Sequence, residues 1–316
     1  MKTILKSFVL LVTVSFFVSC SDNDDITIQT NTIVDVAIQN DLTALAAAVT
    51  RANLVETLSA DGDFTVLAPT NQAFTSFLQD KGFASVNDVP VPVLRNILLN
   101  HVINGRLRDA DLSTGYANTN ATSDVNGNPL SIYINTENGV EFNGVSTVQT
   151  ANVTADNGIV HVVDAVIDLP TVVTFATADP NFSILVQALT RESSFNYVQT
   201  LSTDANTSPA PFTVFAPNND AFVDLLGELQ VQGLGDIPTA TLSSTLNTHV
   251  VAGANVLESN LSDNLPVDTL GGDLTVNITS SGATLTDSQG RISSIIATDI
   301  QANNGVIHAI NKVVLE

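Results

Sequence analysis

A chain of 316 residues with a single cysteine cannot hold an intrachain disulfide, so its folded part must be stabilised by burial alone. Tryptophan is absent, tyrosine numbers three and aromatics reach only 5%, which leaves little to stack on sugar rings. Basic residues are scarce: 10 Lys+Arg stand against 32 Asp+Glu, a formal charge of -22. Without a basic surface to displace counterions from phosphate, nucleic acid is excluded as a partner, and so is electrostatic docking on an anionic bilayer. What is present is a 44% hydrophobic chain of mean hydropathy +0.26, too apolar to be disordered throughout. Charged residues make up only 13%, so Ser, Thr, Asn and Gln must cover the surface. With many Val, Ile and Thr, this favours a strand-rich extracellular protein of two ordinary-sized domains.

Residues 1–20 read as an address. Lys2 and Lys6 precede or flank the apolar stretch Phe8–Val18, which at eleven residues is shorter than the roughly 20 a membrane-spanning helix needs. Phe17-Val18-Ser19-Cys20 resembles a bacterial lipobox, with Phe where Leu is usual, and that resemblance implies acylation of Cys20. Residues 21–31 begin Ser-Asp-Asn-Asp-Asp and form an acidic tether, similar to the surface-export signal of Bacteroidota lipoproteins. The expected location is therefore the cell envelope, as a surface-exposed outer-membrane lipoprotein that meets the membrane only through its lipid anchor.

The rest of the chain is written twice. Phe64-Thr-Val-Leu-Ala-Pro-Thr-Asn-Gln-Ala-Phe74 returns as Phe212-Thr-Val-Phe-Ala-Pro-Asn-Asn-Asp-Ala-Phe222. His101-Val102 returns as His249-Val250, and Asn157-Gly158-Ile159-Val160-His161 as Asn304-Gly305-Val306-Ile307-His308. Three blocks in one order and at nearly one offset mark a duplication, with domains at 32–169 and 170–316. The second copy carries extra residues around 203–211, which read as a longer surface loop. Within each copy a helical period comes first: a helix face over 34–52 from Leu42, Leu45, Val49 and Ala52, and a helix over 92–103. A period of two follows, with Leu130, Ile132 and Ile134 answered by Leu274, Val276 and Ile278, and with hairpin turns at Asn138-Gly139 and Ser281-Gly282. Helices first and strands after is an α+β pattern.

These blocks resemble the fasciclin (FAS1) domain: its opening Thr-Val-Phe-Ala-Pro segment, its central histidine segment and its closing Asn-Gly-x-x-His segment, each in both copies. The resemblance covers essentially everything after residue 32. It implies two tandem domains, each a β-wedge of about seven strands with helices packed against it, and adhesion to an extracellular protein or polysaccharide ligand. In animal members an Asp-Ile pair before the closing block is implicated in integrin contact, which points to Asp299 and Ile300 here. The first copy has Asn152-Val153 in that place, and Asn100 and Thr248 precede the central histidines where the family has tyrosine.

Chemistry is sparse. The four histidines, His101, His161, His249 and His308, fall at repeat-matched positions beside apolar residues, as buried imidazoles would. With no thiolate left in the fold they do not make a zinc or copper set, and no metal or cofactor is expected. Gly-x-Ser-x-Gly, phosphate-loop and dinucleotide signatures are missing. Asp61-Gly62-Asp63 lacks the alternating ligands and distal Glu of an EF-hand. Asn157, Gly158, Asn304 and Gly305 read as structural motif residues, and Asp220 has Gln72 as its counterpart, which removes a shared acid–base role. The expected function is a non-enzymatic surface adhesion protein. The alternatives are a carbohydrate-binding part of an outer-membrane polysaccharide-handling complex and a hydrolase with an unrecognised carboxylate site.

Overall fold

A computed structural model describes residues 31–316; the expected leader, Cys20 and most of the expected tether lie outside them. The first domain runs α1 (Ile33–Gln39), α2 (Thr43–Arg51), α3 (Val55–Ser59), β1 (Phe64–Pro69), α4 (Asn71–Asp80) and α5 (Val91–Leu99). It continues as β2 (Val102–Asn104), β3 (Gly115–Thr122), β4 (Pro129–Asn135), β5 (Glu141–Phe142), β6 (Ser146–Ala155) and β7 (Gly158–Val163). The second repeats this order: α6 (Val172–Ala178), α7 (Ser183–Leu189), α8 (Tyr197–Leu201), β8 (Phe212–Pro217), α9 (Asn219–Leu229) and α10 (Thr239–Asn247). Then come β9 (Val250–Ala252), β10 (Leu265–Asp268), β11 (Asp273–Thr279), β12 (Gly282–Thr286), β13 (Ile292–Ala302) and β14 (Gly305–Ile310).

Local chemistry sets several of these boundaries. Thr32 and Asp35 cap α1 reciprocally, and Thr70 caps α4 by accepting from the Ala73 amide at 3.2 Å. The helix expected over 34–52 is two helices. Asp41 takes a left-handed conformation (φ 56) between α1 and α2, so the face of Leu45 and Val49 belongs to α2 alone. The helix expected over 92–103 ends at Leu99. Val102 and Ile103, β-branched, pair instead with Val66 and Thr65 of β1. Ile278, expected inside by alternation, is 48% exposed near the end of β11.

In each domain the first strand pairs in parallel with the last: β1 with β7, β8 with β14. The first sheet closes into a seven-stranded barrel through the pairing of Ile103 with Thr119, whereas the second keeps seven strands in the order β10-β11-β12-β13-β14-β8-β9. Each domain has one core under its helices, as around Leu45, Phe74 and Leu94, and another inside its sheet, as around Leu67, Ile132 and Phe142.

Strand β4 is buried on both faces, and the second face meets the other domain. Ser131 and Tyr133 point out of the first sheet; Tyr133 joins the core built by Val172, Phe175 and Phe182. Tyr116 stands edge-on to Phe175 at 5.5 Å between ring centroids, and its hydroxyl donates to Asp179 Oδ2 at 3.1 Å. Gln301 of β13 is the polar centre of this contact. Its backbone N–H donates to Ser131 Oγ at 3.0 Å, and its side-chain oxygen accepts from Asn126 at 3.0 Å. Its side-chain nitrogen donates to the Ala302 and Gly305 carbonyls at 2.8 and 2.9 Å. Truncating Tyr133 removes a buried aromatic of the kind that costs about 3–5 kcal/mol. Wild type is expected to unfold in one calorimetric transition and Tyr133→Ser in two; a single unshifted transition in the variant would show that the contact does not couple the domains.

Candidate functional site

The motif residues form two structural braces per domain. Asn157, in the turn before β7, accepts from the Ile33 N–H at 3.0 Å and donates to the Leu58 and Ala60 carbonyls at 2.8 and 2.9 Å. One carboxamide thus pins the starts of α1 and β7 and the end of α3 together. Asn304 does the same for Val172, Leu201 and Thr203 at 3.0, 2.8 and 2.9 Å. The glycine that follows is required by the parallel pair: a Cβ on Gly158 would lie 2.3 Å from the Phe64 carbonyl oxygen, and one on Gly305 2.3 Å from that of Phe212.

The histidines complete the braces. His101 Nδ1–H donates to the Ile97 carbonyl at 2.8 Å while Nε2 accepts from the Ile167 N–H at 2.9 Å. His249 repeats this with Thr245 at 2.7 Å and Val314 at 3.2 Å. The other pair uses the opposite tautomer: His161 and His308 donate from Nε2 to the Leu107 and Val256 carbonyls at 3.0 and 2.8 Å. Their Nδ1 atoms face the N–H groups of Asn152 and Asp299, both at 3.4 Å. Every ring gives one hydrogen bond and accepts another, which a neutral imidazole alone can do. Among the described residues no group of three His, Cys, Asp or Glu could hold a metal ion.

The two residues facing His161 and His308 occupy β-bulges. Asn152 and Asp299 both have left-handed backbone, at φ 62 and 55, where β6 and β13 shift register against their partners. The side chain of each accepts a backbone N–H, Asp109 at 3.0 Å for Asn152 and Glu258 at 2.8 Å for Asp299. Asn152 also donates to Asp109 Oδ1, which holds that carboxylate below its ordinary range. Asp299 is exposed but engaged, and Ile300 is 4% exposed, inside the second-domain core. Replacing Asp299 with Ala is therefore not a neutral surface change. In the Asp-Gly-Asp cluster, Asp63 pairs with Arg106 at 3.0 Å.

A second feature carries no sequence motif. Between the domains lies a cleft of about 540 Å³, walled by α5, the β3–β4 turn, the connecting segment and the 204–207 loop. Sequence reasoning marked that loop as an insertion but had no signal for what it faces.

Burial holds the His101 and His249 rings down to about 4, against an ordinary 6.5, and lowers His308 too. A folded-state value below the unfolded one means that protons bind preferentially to the unfolded chain. Stability is then fully present above about pH 6.5 and declines as pH falls to about 4, by roughly 3 kcal/mol per ring. Urea midpoints are expected to drop across that window, with about two protons taken up on unfolding near pH 5. A flat profile would mean the rings titrate normally.

Residues 40–170 and 180–316 each match the family described as Fasciclin domain. The chain is 37% identical over 136 residues to protein sll1735 of Synechocystis, covering 43% of this chain and 96% of that one. It is 30% identical over 270 residues to transforming growth factor-beta-induced protein ig-h3 of Sus scrofa, covering 82% of this chain; it spans only 35% of ig-h3. A solved FAS1 domain pair from the insect cell adhesion molecule fasciclin I aligns over 89% of this chain and 95% of that one, at 21% identity and a TM-score of 0.49. With the family matched over both of its repeats, the chain belongs to the fasciclin-domain family.

Proposed function

We propose that the protein is a non-enzymatic adhesion protein, held on the outer membrane by acylated Cys20, that binds a protein or polysaccharide ligand outside the cell through its two fasciclin domains. The observation that carries this reading is where the polar motif residues go. The four histidines and both Asn-Gly turns are used up in bonds within the fold, so they are not available as a catalytic constellation. The buried contact through Tyr133 and Gln301 holds two domains as one platform, which suits presentation of a surface better than turnover. No helix among the described residues is long and apolar enough to cross a membrane, so a lipid on Cys20 would supply the attachment.

Two measurements test it. Cys20→Ala is expected to move the protein from the membrane to the soluble fraction and to remove acyl mass from the mature N-terminus; undiminished membrane association would exclude the anchor. Asp299→Asn keeps the left-handed preference and the carbonyl acceptor that Asn152 supplies in the first domain, while deleting the charge. It is expected to attach to cells or matrix as wild type does, whereas Asp299→Ala loses about 1–2 kcal/mol of stability through strain and the lost acceptor. Weakened attachment by a fully stable Asp299→Asn would instead make the carboxylate a contact residue.

A further inference from the structure

We infer that the interdomain cleft is a docking site for the cationic side chain of a partner protein, a lysine or arginine presented on a basic surface; this deepens the adhesion reading and rests on it. The cleft has a mixed lining. Its apolar part comes from Pro92 and Val93 of α5 with Leu169 of the connecting segment, and Val93 is left 45% exposed. It also carries carboxylates: Asp124 from the β3–β4 turn, Asp168 from the connecting segment and Asp204 from the loop that is longer in the second copy. Among the described residues Lys81 is the cation lining the cleft, and it is paired with Asp168 at 2.5 Å. Asp124 is held by a neutral donor, the Asn303 amide at 3.0 Å, and no cation pairs with Asp124 or Asp204 among the described residues.

Two carboxylates without a paired cation, in a cleft that also exposes apolar side chains, match a side chain with an aliphatic stem and a positive head. Among the described residues no aromatic ring lines the cleft to stack on a sugar, and no group of ligands is close enough to hold a metal ion. The formal charge of -22 adds a field that draws a basic surface toward the molecule. A volume of about 540 Å³ admits a long side chain together with some of the backbone that carries it.

The test uses the full-length protein, a fluorescein-labelled peptide alternating Arg with Gly and Val, and fluorescence anisotropy at 0.15 M salt, about one 8 Å Debye length of screening. Asp124→Asn combined with Asp204→Asn is expected to weaken binding at least tenfold. Asp61→Asn combined with Asp224→Asn, an equal loss of charge on exposed residues outside the cleft, is expected to change it less than twofold. Val93→Arg places a cation of the chain's own in the cleft and is expected to abolish binding with the thermal midpoint unchanged. Equal weakening by both double variants, no peptide binding by wild type, or binding of a dextran octasaccharide in place of the peptide overturns the inference. Attachment to cells is scored in parallel. Wild type that attaches, with cleft variants attaching and binding peptide equally well, overturns the cleft while adhesion stands; peptide binding lost in the cleft variants, without attachment by wild type, overturns adhesion while the cleft stands.

Discussion

The parallel pairing of β1 with β7, and of β8 with β14, is the constraint on which each domain depends. Parallel neighbours need a long crossover, and here the crossover is nearly the whole domain: helices, a short antiparallel strand and the remaining sheet all lie between the two strands. Loop closure over such a distance is costly in entropy, so the junction has to be tight once formed. That explains the density of special residues on the closing strand. Gly158 and Gly305 let the strands approach to where a Cβ would overlap a carbonyl oxygen. Asn157 and Asn304 tie the same point to the first helix, and His161 and His308 tie the far face to the bulge and the segment beyond β2 or β9.

The bulges extend this logic one shell outward. A left-handed residue in β6 and β13 aims its N–H at an imidazole and its side chain at the next turn, and Asn and Asp are the residues that tolerate that backbone best. One copy uses Asn152 and the other Asp299, so the shared requirement is an acceptor on a short side chain and not a charge. A residue pair that sequence comparison with animal relatives would single out for contact has a sufficient reason to exist inside the fold.

Much of this was legible in the residues. Duplication exposed the three blocks, the α+β order and the two-domain plan, because each block combines a rigid backbone need with an apolar strand. Where the reading departed from the structure, the cause was local or tertiary. Periodicity over 34–52 does not register Asp41 turning left-handed, and Val102 and Ile103 continue a helical pattern while pairing as a strand. Alternation placed Ile132 inside correctly but gave no hint that Tyr133, on the opposite face, is buried as well. Burial of both faces depends on a partner that sequence pattern cannot supply. The low tyrosine count was the available signal, since two of the three tyrosines meet at that one junction, 5.0 Å apart.

Duplicated domains need not remain interchangeable, and this pair has diverged where the copies touch. Ser131 and Tyr133 of β4 are answered in β11 by Thr275 and Asn277, which leave the equivalent face of the second sheet polar and partly open to solvent. The first domain therefore offers a docking face that the second does not. In the other direction, Phe175 and Ala178 of α6 receive Tyr116 and Gly144, while the matching α1 positions carry Val36 and Gln39. Both changes act toward one orientation of the two domains. The longer loop after α8 then falls beside the junction, where it lines the cleft together with α5 and the connecting segment. A surface created by two domains held in fixed relation can carry its own specificity while the residues that make each domain fold remain nearly the same in both.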